Sequence, residues 1–215
     1  RSIFIRNMNP SPSPVWVNDV HSRLNRTRVA DVISPQTLAA LSEAVRFASE
    51  KKLSISASGS RHAMGGQQFA KDGILLDLRQ LKQVIHFDRE TGLLRVEAGI
   101  QWPELISYYQ SVQLQDANPW GIAQKQTGAD TFTLGGSLSA NVHGRGLSLA
   151  PFIQDIEAFT LVKADREIVS CSRRENADLF ALAIGGYGLF GVVADLTLRL
   201  VPRRRLERVV EIVGA

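Results

Sequence analysis

Glycine clusters at three places in this chain, around residues 58–67, 128–146 and 185–191, and between them the sequence reads as ordinary helices and strands. A residue without Cβ lets the backbone approach a ligand closely and adopt positive φ, and successive amides in such turns form an anion-binding nest. Two of these segments at element junctions suit a diphosphate. Each taken alone is more often a plain connection. None ends in the Lys-Ser/Thr of a P-loop, and none carries the three-glycine dinucleotide fingerprint, so an ordinary nucleoside-triphosphate or nicotinamide site is not expected.

The rest of the chain has enough apolar material to enclose a core. It has 215 residues, 44% of them hydrophobic and 21% charged, which suits one domain or two tightly joined subdomains. Asn7 to Asp19, with Pro10, Pro12 and Pro14, read as part of an extended leader over residues 1–26. Ser34 before Pro35 predicts a helix N-cap, with Leu38, Leu41, Val45 and Ala48 on one face as far as Lys51-Lys52. Strands are predicted at Leu53–Ala57, Ile74–Leu78, Gln83–Asp88 and Leu93–Ala98, and Pro103 opens a second helix carrying Leu105, Ile106 and Tyr109. Further on come a hairpin at 153–163 and 167–170, a helix capped by Asn176, and an alternating strand over Val192–Leu200. The fold class is α+β, with one subdomain over about 27–125 and a second over about 126–201. Arg208–Val213 reads as one more strand, the start of a further C-terminal unit over 202–215.

Several function classes fall away. No apolar run approaches the ~18 residues of a membrane helix. No apolar stretch flanked by a cleavage site stands near Arg1, which favours a cytoplasmic protein, although a segment already removed would leave the same sequence. The excess of base over acid is only +4, with no aromatic–basic interleaving, so nucleic acid is not an expected partner. Cys171 is the single cysteine, which excludes an internal disulfide, and no metal-ligand spacing exists.

In order and spacing the glycine segments stop being generic. Ser-Gly-Ser-Arg-His-Ala-Met-Gly-Gly-Gln (58–67), Thr-Leu-Gly-Gly-Ser-Leu-Ser-Ala-Asn-Val-His-Gly (133–144), Glu-Asn-Ala-Asp-Leu-Phe (175–180) and Gly-Gly-Tyr-Gly-Leu-Phe-Gly-Val-Val (185–193) together resemble the FAD-linked oxidase family. This is the vanillyl-alcohol oxidase and p-cresol methylhydroxylase type, and the likeness is greatest to its aldonolactone oxidase, alditol oxidase and cytokinin dehydrogenase branches. It spans residues 27 to 201. The resemblance implies a two-subdomain FAD-binding domain with the cofactor between the subdomains. It assigns cofactor contacts to Ala57, Ser58, Gly59, Ser60, Arg61, His62, Ala63 and Gln67 in the first segment. In the second it assigns Gly128, Thr133, Gly135, Gly136, Ser139, Asn141, Val142 and His143, and in the third Gly188, Gly191, Val192 and Val193. Ala63 stands where many relatives carry Ser, which removes a hydroxyl contact.

His62 is the residue on which the resemblance bears hardest. In the named branches a histidine at this position bonds covalently to the 8α methyl carbon of the flavin. The alternative is a loop histidine that faces solvent or the diphosphate without a bond. His143 would lie near the reactive side of the flavin and assist proton removal from an alcohol, as an imidazole that titrates near neutrality can. It is equally well a turn histidine bonded to backbone. Asp130 is a candidate acid-base group or a turn cap, and His21 and His86 read as structural or exposed. The implied activity is an FAD-dependent oxidoreductase that takes hydride from a sugar, lactone or alcohol and passes electrons to O2 or another acceptor. The competing expectation is a flavin-carrying electron-transfer module whose substrate chemistry resides elsewhere.

Overall fold

The computed structural model describes residues 15–126, 128–146, 148–205, 207 and 209–210. Residues 1–14 of the expected leader, and most of the strand expected at Arg208–Val213, lie outside them.

In chain order the elements are β1 (Val15–Val17), β2 (Thr27–Val29), β3 (Asp31–Ile33), α1 (Leu38–Glu50), β4 (Ile55–Ser58) and β5 (Ile74–Asp77). Then come β6 (Val84–Asp88), β7 (Leu93–Glu97), α2 (Trp102–Val112), β8 (Trp120–Gly121) and α3 (Leu134–Ser139). The last are β9 (Ile156–Val162), β10 (Ile168–Ser172), α4 (Ala177–Ala183), β11 (Val192–Arg199) and β12 (Val201–Pro202). The mixture is α+β, as expected.

Two sheets carry the architecture. Parallel β3-β5-β4 pairs Ile33 with Leu76 and Ala57 with Leu76, and α1 covers it by burying Leu41, Ala44, Val45 and Ala48. All four residues of β5 are buried, as a central parallel strand covered on both faces must be. The second sheet is antiparallel, in the order β10-β9-β11-β7-β6. Its core holds Leu94, Val96, Leu161, Leu196 and Leu198 with Trp102 and Phe152 from flanking elements.

The division expected near residue 125 does not follow the sheets. β6, β7 and α2 precede it, yet β7 pairs with β11, Leu94 facing Leu198 and Val96 facing Leu196, and α2 joins the core of the second sheet. The alternation of strand and helix through the first hundred residues hid this, because pairing partners so far apart leave no local mark.

Local structure also differs in three places. Helix α1 starts later than Ser34-Pro35 suggests, because Thr37 is extended (φ −147, ψ 159) and its hydroxyl accepts the amide of Ala40 at 3.1 Å. Asn176 stands before α4 but in left-handed backbone (φ 49), and its side chain donates to the Ser170 carbonyl at 2.7 Å instead of capping. The leader, finally, is not simply extended. β1 and β2 form a hairpin whose turn is organised by buried Asp19, whose carboxylate accepts from the amides of His21, Ser22 and Arg23 and from the Asn25 side chain. Burial works to push the Asp19 carboxyl up. The bonds from Asn25, Ser22 and Arg23 outweigh it and hold the group well below the usual carboxylate range.

Leu41 is fully buried between α1 and the parallel sheet. Leu41→Ala is expected to lower the unfolding free energy by about 2–5 kcal/mol, the cost of lost burial plus the cavity, read from urea titration with an unchanged m-value.

Candidate functional site

Between the two sheets runs a cleft of ≈ 1130 Å³ of empty space, lined by the first glycine segment, by Thr133 to Val142 and by the turn before β11. A second void of ≈ 1230 Å³ adjoins it, sharing Ala57, Gln67, Tyr187, Gly188, Gly191 and Val192.

The first glycine segment leaves β4 and is clamped from outside. The Arg61 carbonyl accepts the Val20 amide at 3.0 Å, the Met64 carbonyl accepts the Asn25 side chain at 2.6 Å, and the Ser60 hydroxyl accepts from Gln101 Nε2 at 2.9 Å. Every one of these clamps takes an acceptor of the loop. Among the described residues, the amides of Ser60, Arg61, His62 and Ala63 donate to no acceptor. Arg61 is left-handed (φ 59), and a left-handed residue within a run of unpaired amides is the ingredient of an anion nest.

Two side-chain atoms of the same wall are orphaned. Ser58 Oγ and Arg61 Nε are buried without a partner, although such groups normally have one. The Arg61 guanidinium sits 3.4 Å from Asp77, a buried carboxylate gripped at 2.6 Å by Arg79. Burial pushes the Asp77 carboxyl up, but the bonds and charge of Arg79, with Arg61 behind them, hold it below its ordinary value. Asp77 therefore stays charged and fastens the Arg61 guanidinium at the cleft wall.

The second glycine segment behaves differently from its expected use. Residues 134–139 form the short helix α3, capped by the Thr133 hydroxyl. Its first amides are spent inside the protein: Leu134 on Ile100, Gly135 on Ala98 at 2.7 Å, Ser137 on Thr133. A Cβ on Gly135 would lie 2.8 Å from the Ala98 methyl and 3.0 Å from its carbonyl, so packing, not ligand approach, demands glycine there. On Gly136 a Cβ would meet only the Thr133 hydroxyl, at 3.0 Å, and this is the position open to the cleft.

Of the residues proposed from sequence, Ala57 to Ala63, Gln67, Thr133, Gly135, Gly136, Ser139, Val142, Gly188, Gly191, Val192 and Val193 line the cleft. Three do not. Gly128 is exposed, and its φ of 108 serves a turn with open space beside it. Asn141, left-handed at φ 43, accepts the Ile153 amide on its side-chain oxygen at 3.0 Å. His143 is exposed, and its Nδ1 pairs with the Gly144 carbonyl at 2.9 Å, the turn histidine that the sequence allowed. Asp130 is likewise exposed and paired with Lys125. Sequence reasoning missed Leu78, Ala98, Phe132 and Tyr187, which also line the cleft. Leu78 and Ala98 are strand-end residues with no compositional mark, but Tyr187 stands inside the third glycine run and was within reach.

His62 lies on the cleft wall with both ring nitrogens engaged. Nδ1 faces Nε2 of His21 at 2.6 Å, Nε2 faces the Thr131 hydroxyl at 3.0 Å, and the ring leans on Phe132 at 4.5 Å between centroids. Burial first, then the neighbouring His21, lowers its pKa below 6.5, while Thr131 pulls weakly the other way. A neutral imidazole at pH 7 follows. His21, exposed as expected, reaches this site through its contact with His62.

The fold and cleft together define a dinucleotide-binding module of the two-sheet flavin type. The chain belongs to the FAD binding domain family, whose model matches residues 29–172. It is 32% identical over 208 residues to cytokinin dehydrogenase 3 of Oryza sativa subsp. japonica, covering 92% of this chain and 38% of that one. It is 29% identical over 197 residues to the mitochondrial L-galactono-1,4-lactone dehydrogenase of Brassica oleracea, covering 92% of this chain and 32% of that protein. A solved structure of alkyldihydroxyacetonephosphate synthase superposes with a TM-score of 0.70 at 15% identity, over 80% of this chain and 31% of that one. The chain spans about a third of the length of the relatives it matches. Among the described residues no helix is long and apolar enough to cross a membrane.

The residues present fit FAD: a run of free amides, the Ser58 hydroxyl and Nε of the Arg61 guanidinium, both without a partner, stand on one wall of the cleft, and Leu78, Ala98, Phe132 and Val193 supply apolar wall.

Two results test the site. Gly136→Val should weaken FAD binding with little change in the unfolding midpoint, whereas Gly135→Val should lower the midpoint through its clash with Ala98; equal effects on both readouts would contradict the division. For His62, the folded pKa lies below the unfolded value, so the unfolded state binds more protons and stability is lost as pH falls below about 6.5. His62→Gln should flatten that part of the stability profile, measured by denaturant titration between pH 5 and 7.

Proposed function

We propose that this chain is the cofactor-holding part of an FAD-dependent oxidase or dehydrogenase acting on a hydroxylated small molecule such as a sugar, lactone or alcohol. The observation that carries this reading is the grouping, on one cleft wall, of free amides at Ser60–Ala63 with the unpartnered Ser58 hydroxyl and Arg61 Nε. The relatives named dehydrogenases of a lactone and of cytokinin support the reaction class. When bound, the flavin would supply the redox chemistry, as a hydride acceptor from the substrate and an electron donor to O2 or another acceptor.

This chain's own contribution is to bind and orient. Arg61, held by Asp77, and the amides beyond Ser58 neutralise the diphosphate charge. Gly191, just before β11, and Val193 within it line the cleft and would contact the dinucleotide. His62, kept neutral by burial and by His21, offers a ring nitrogen for covalent attachment of the flavin. His143 is left with its turn, and proton removal from the substrate falls to groups outside the cleft wall described above.

The protein purified with FAD should be yellow and should keep its colour on the polypeptide after acid precipitation. His62→Ala should bind flavin yet release it under acid. A colourless protein that takes up no FAD would sink the reading. Flavin released by acid from the unmutated protein would sink the covalent bond alone.

A further inference from the structure

The third glycine run holds one residue that its backbone does not suit. Leu189 donates its amide to the Gly186 carbonyl at 3.0 Å across Tyr187 (φ 50) and Gly188 (φ 82). Two left-handed residues closed in this way are the pattern of a type I′ turn, whose central positions are dominated by Asn, Asp and Gly. A bulky aromatic in left-handed backbone is strained, and such strain persists only where the surroundings over-determine it, most often at ligand sites. Here the surroundings do so. The Gly185 amide is bonded to the Leu138 carbonyl and the Tyr187 amide to the Ser139 carbonyl, each at 3.1 Å, which fastens the turn to the end of α3. The ring gains little burial in exchange, since Tyr187 is 55% exposed. Packing therefore does not account for a tyrosine at this position.

Its location does. Tyr187 lines both the cleft and the second void, on the boundary that they share with Ala57, Gln67 and Gly188. The cleft holds the free amides and His62, whereas the second void is lined by none of residues 58–63 and is walled in part by Val45, Leu53, Phe69 and Phe190. With the flavin at His62 and the diphosphate on the amides of Ser60–Ala63, the end of the dinucleotide left for the second void is the adenosine. A purine offers a flat π-face, on which a tyrosine ring stacks while its hydroxyl stays in water. We infer that Tyr187 is the stacking platform for the adenine ring of the dinucleotide, and that the strained turn serves to hold that ring at the boundary of the two voids. The inference rests on the cofactor reading above.

The test is equilibrium binding to the full chain expressed without flavin, with His62→Ala in every variant so that FAD binds reversibly. Tyr187→Phe keeps the ring and should hold FAD within about twofold of the chain with tyrosine. Tyr187→Gly removes the ring and relieves the backbone. Its urea midpoint should not fall, while its FAD affinity drops about ten- to a hundredfold, the range that one stacked base supplies. ADP, read by its displacement of FAD, should lose affinity by the same factor in that variant. An FAD affinity unchanged in Tyr187→Gly would overturn the platform. ADP held equally well by both chains while FAD weakens would place the ring against the flavin and overturn the adenine assignment, as would ADP that does not displace FAD at all. No FAD uptake with tyrosine in place would overturn the cofactor reading and the platform with it.

Discussion

The two glycine segments touch, and they touch at Gly59 against Thr133. A Cβ on Gly59 would stand 2.0 Å from the Thr133 hydroxyl, the same hydroxyl that caps α3. The end of the parallel sheet and the helix resting on the antiparallel sheet thus meet with no room for a side chain. A further bond, from Gln101 to Ser60, spans the same seam. The cleft, the run of free amides and the alignment of His62 all lie along this seam. Any residue larger than glycine at position 59 would push the sheets apart or unseat the cap.

Much of the fold could be read in advance wherever the signal is local. The apolar face of α1 and the alternation over β11 each lie within a single element. What could not be read is long-range. Whether β7 belongs with the strands before it or with β11 depends on a partner about a hundred residues away, and nothing in Leu94 or Val96 names Leu198 or Leu196. The helical state of 134–139 was hidden for another reason. Two glycines argue against helix by propensity, and the Thr133 cap together with the fit against Ala98 overrides it.

The candidate site shows the same split. Residues whose chemistry is backbone, such as Gly59 and Gly136, could be found from glycine alone, since little else puts bare peptide beside a ligand. Residues placed by neighbours could not. His21 sits in what looks like a proline-rich leader, and only the carboxylate of Asp19, buried beneath the turn, brings its ring to His62. His143 answers to the other reading the sequence left open. A histidine in a glycine turn invites a chemical role, and the carbonyl of Gly144 occupies one of its nitrogens.

The antiparallel sheet also bears on how the chain is made. Arg95 and Asp195 are joined at 2.8 Å although they stand 100 positions apart. During synthesis, then, β6 and β7 emerge as a hairpin with the apolar Leu94 and Val96 on a strand whose outer edge has no companion until translation reaches Val192–Arg199. A naked edge of that kind invites pairing with other nascent polypeptides. Arg95, placed midway along it, sets a charge where a stray strand would have to lie, and so guards the vacancy until its intended neighbour arrives.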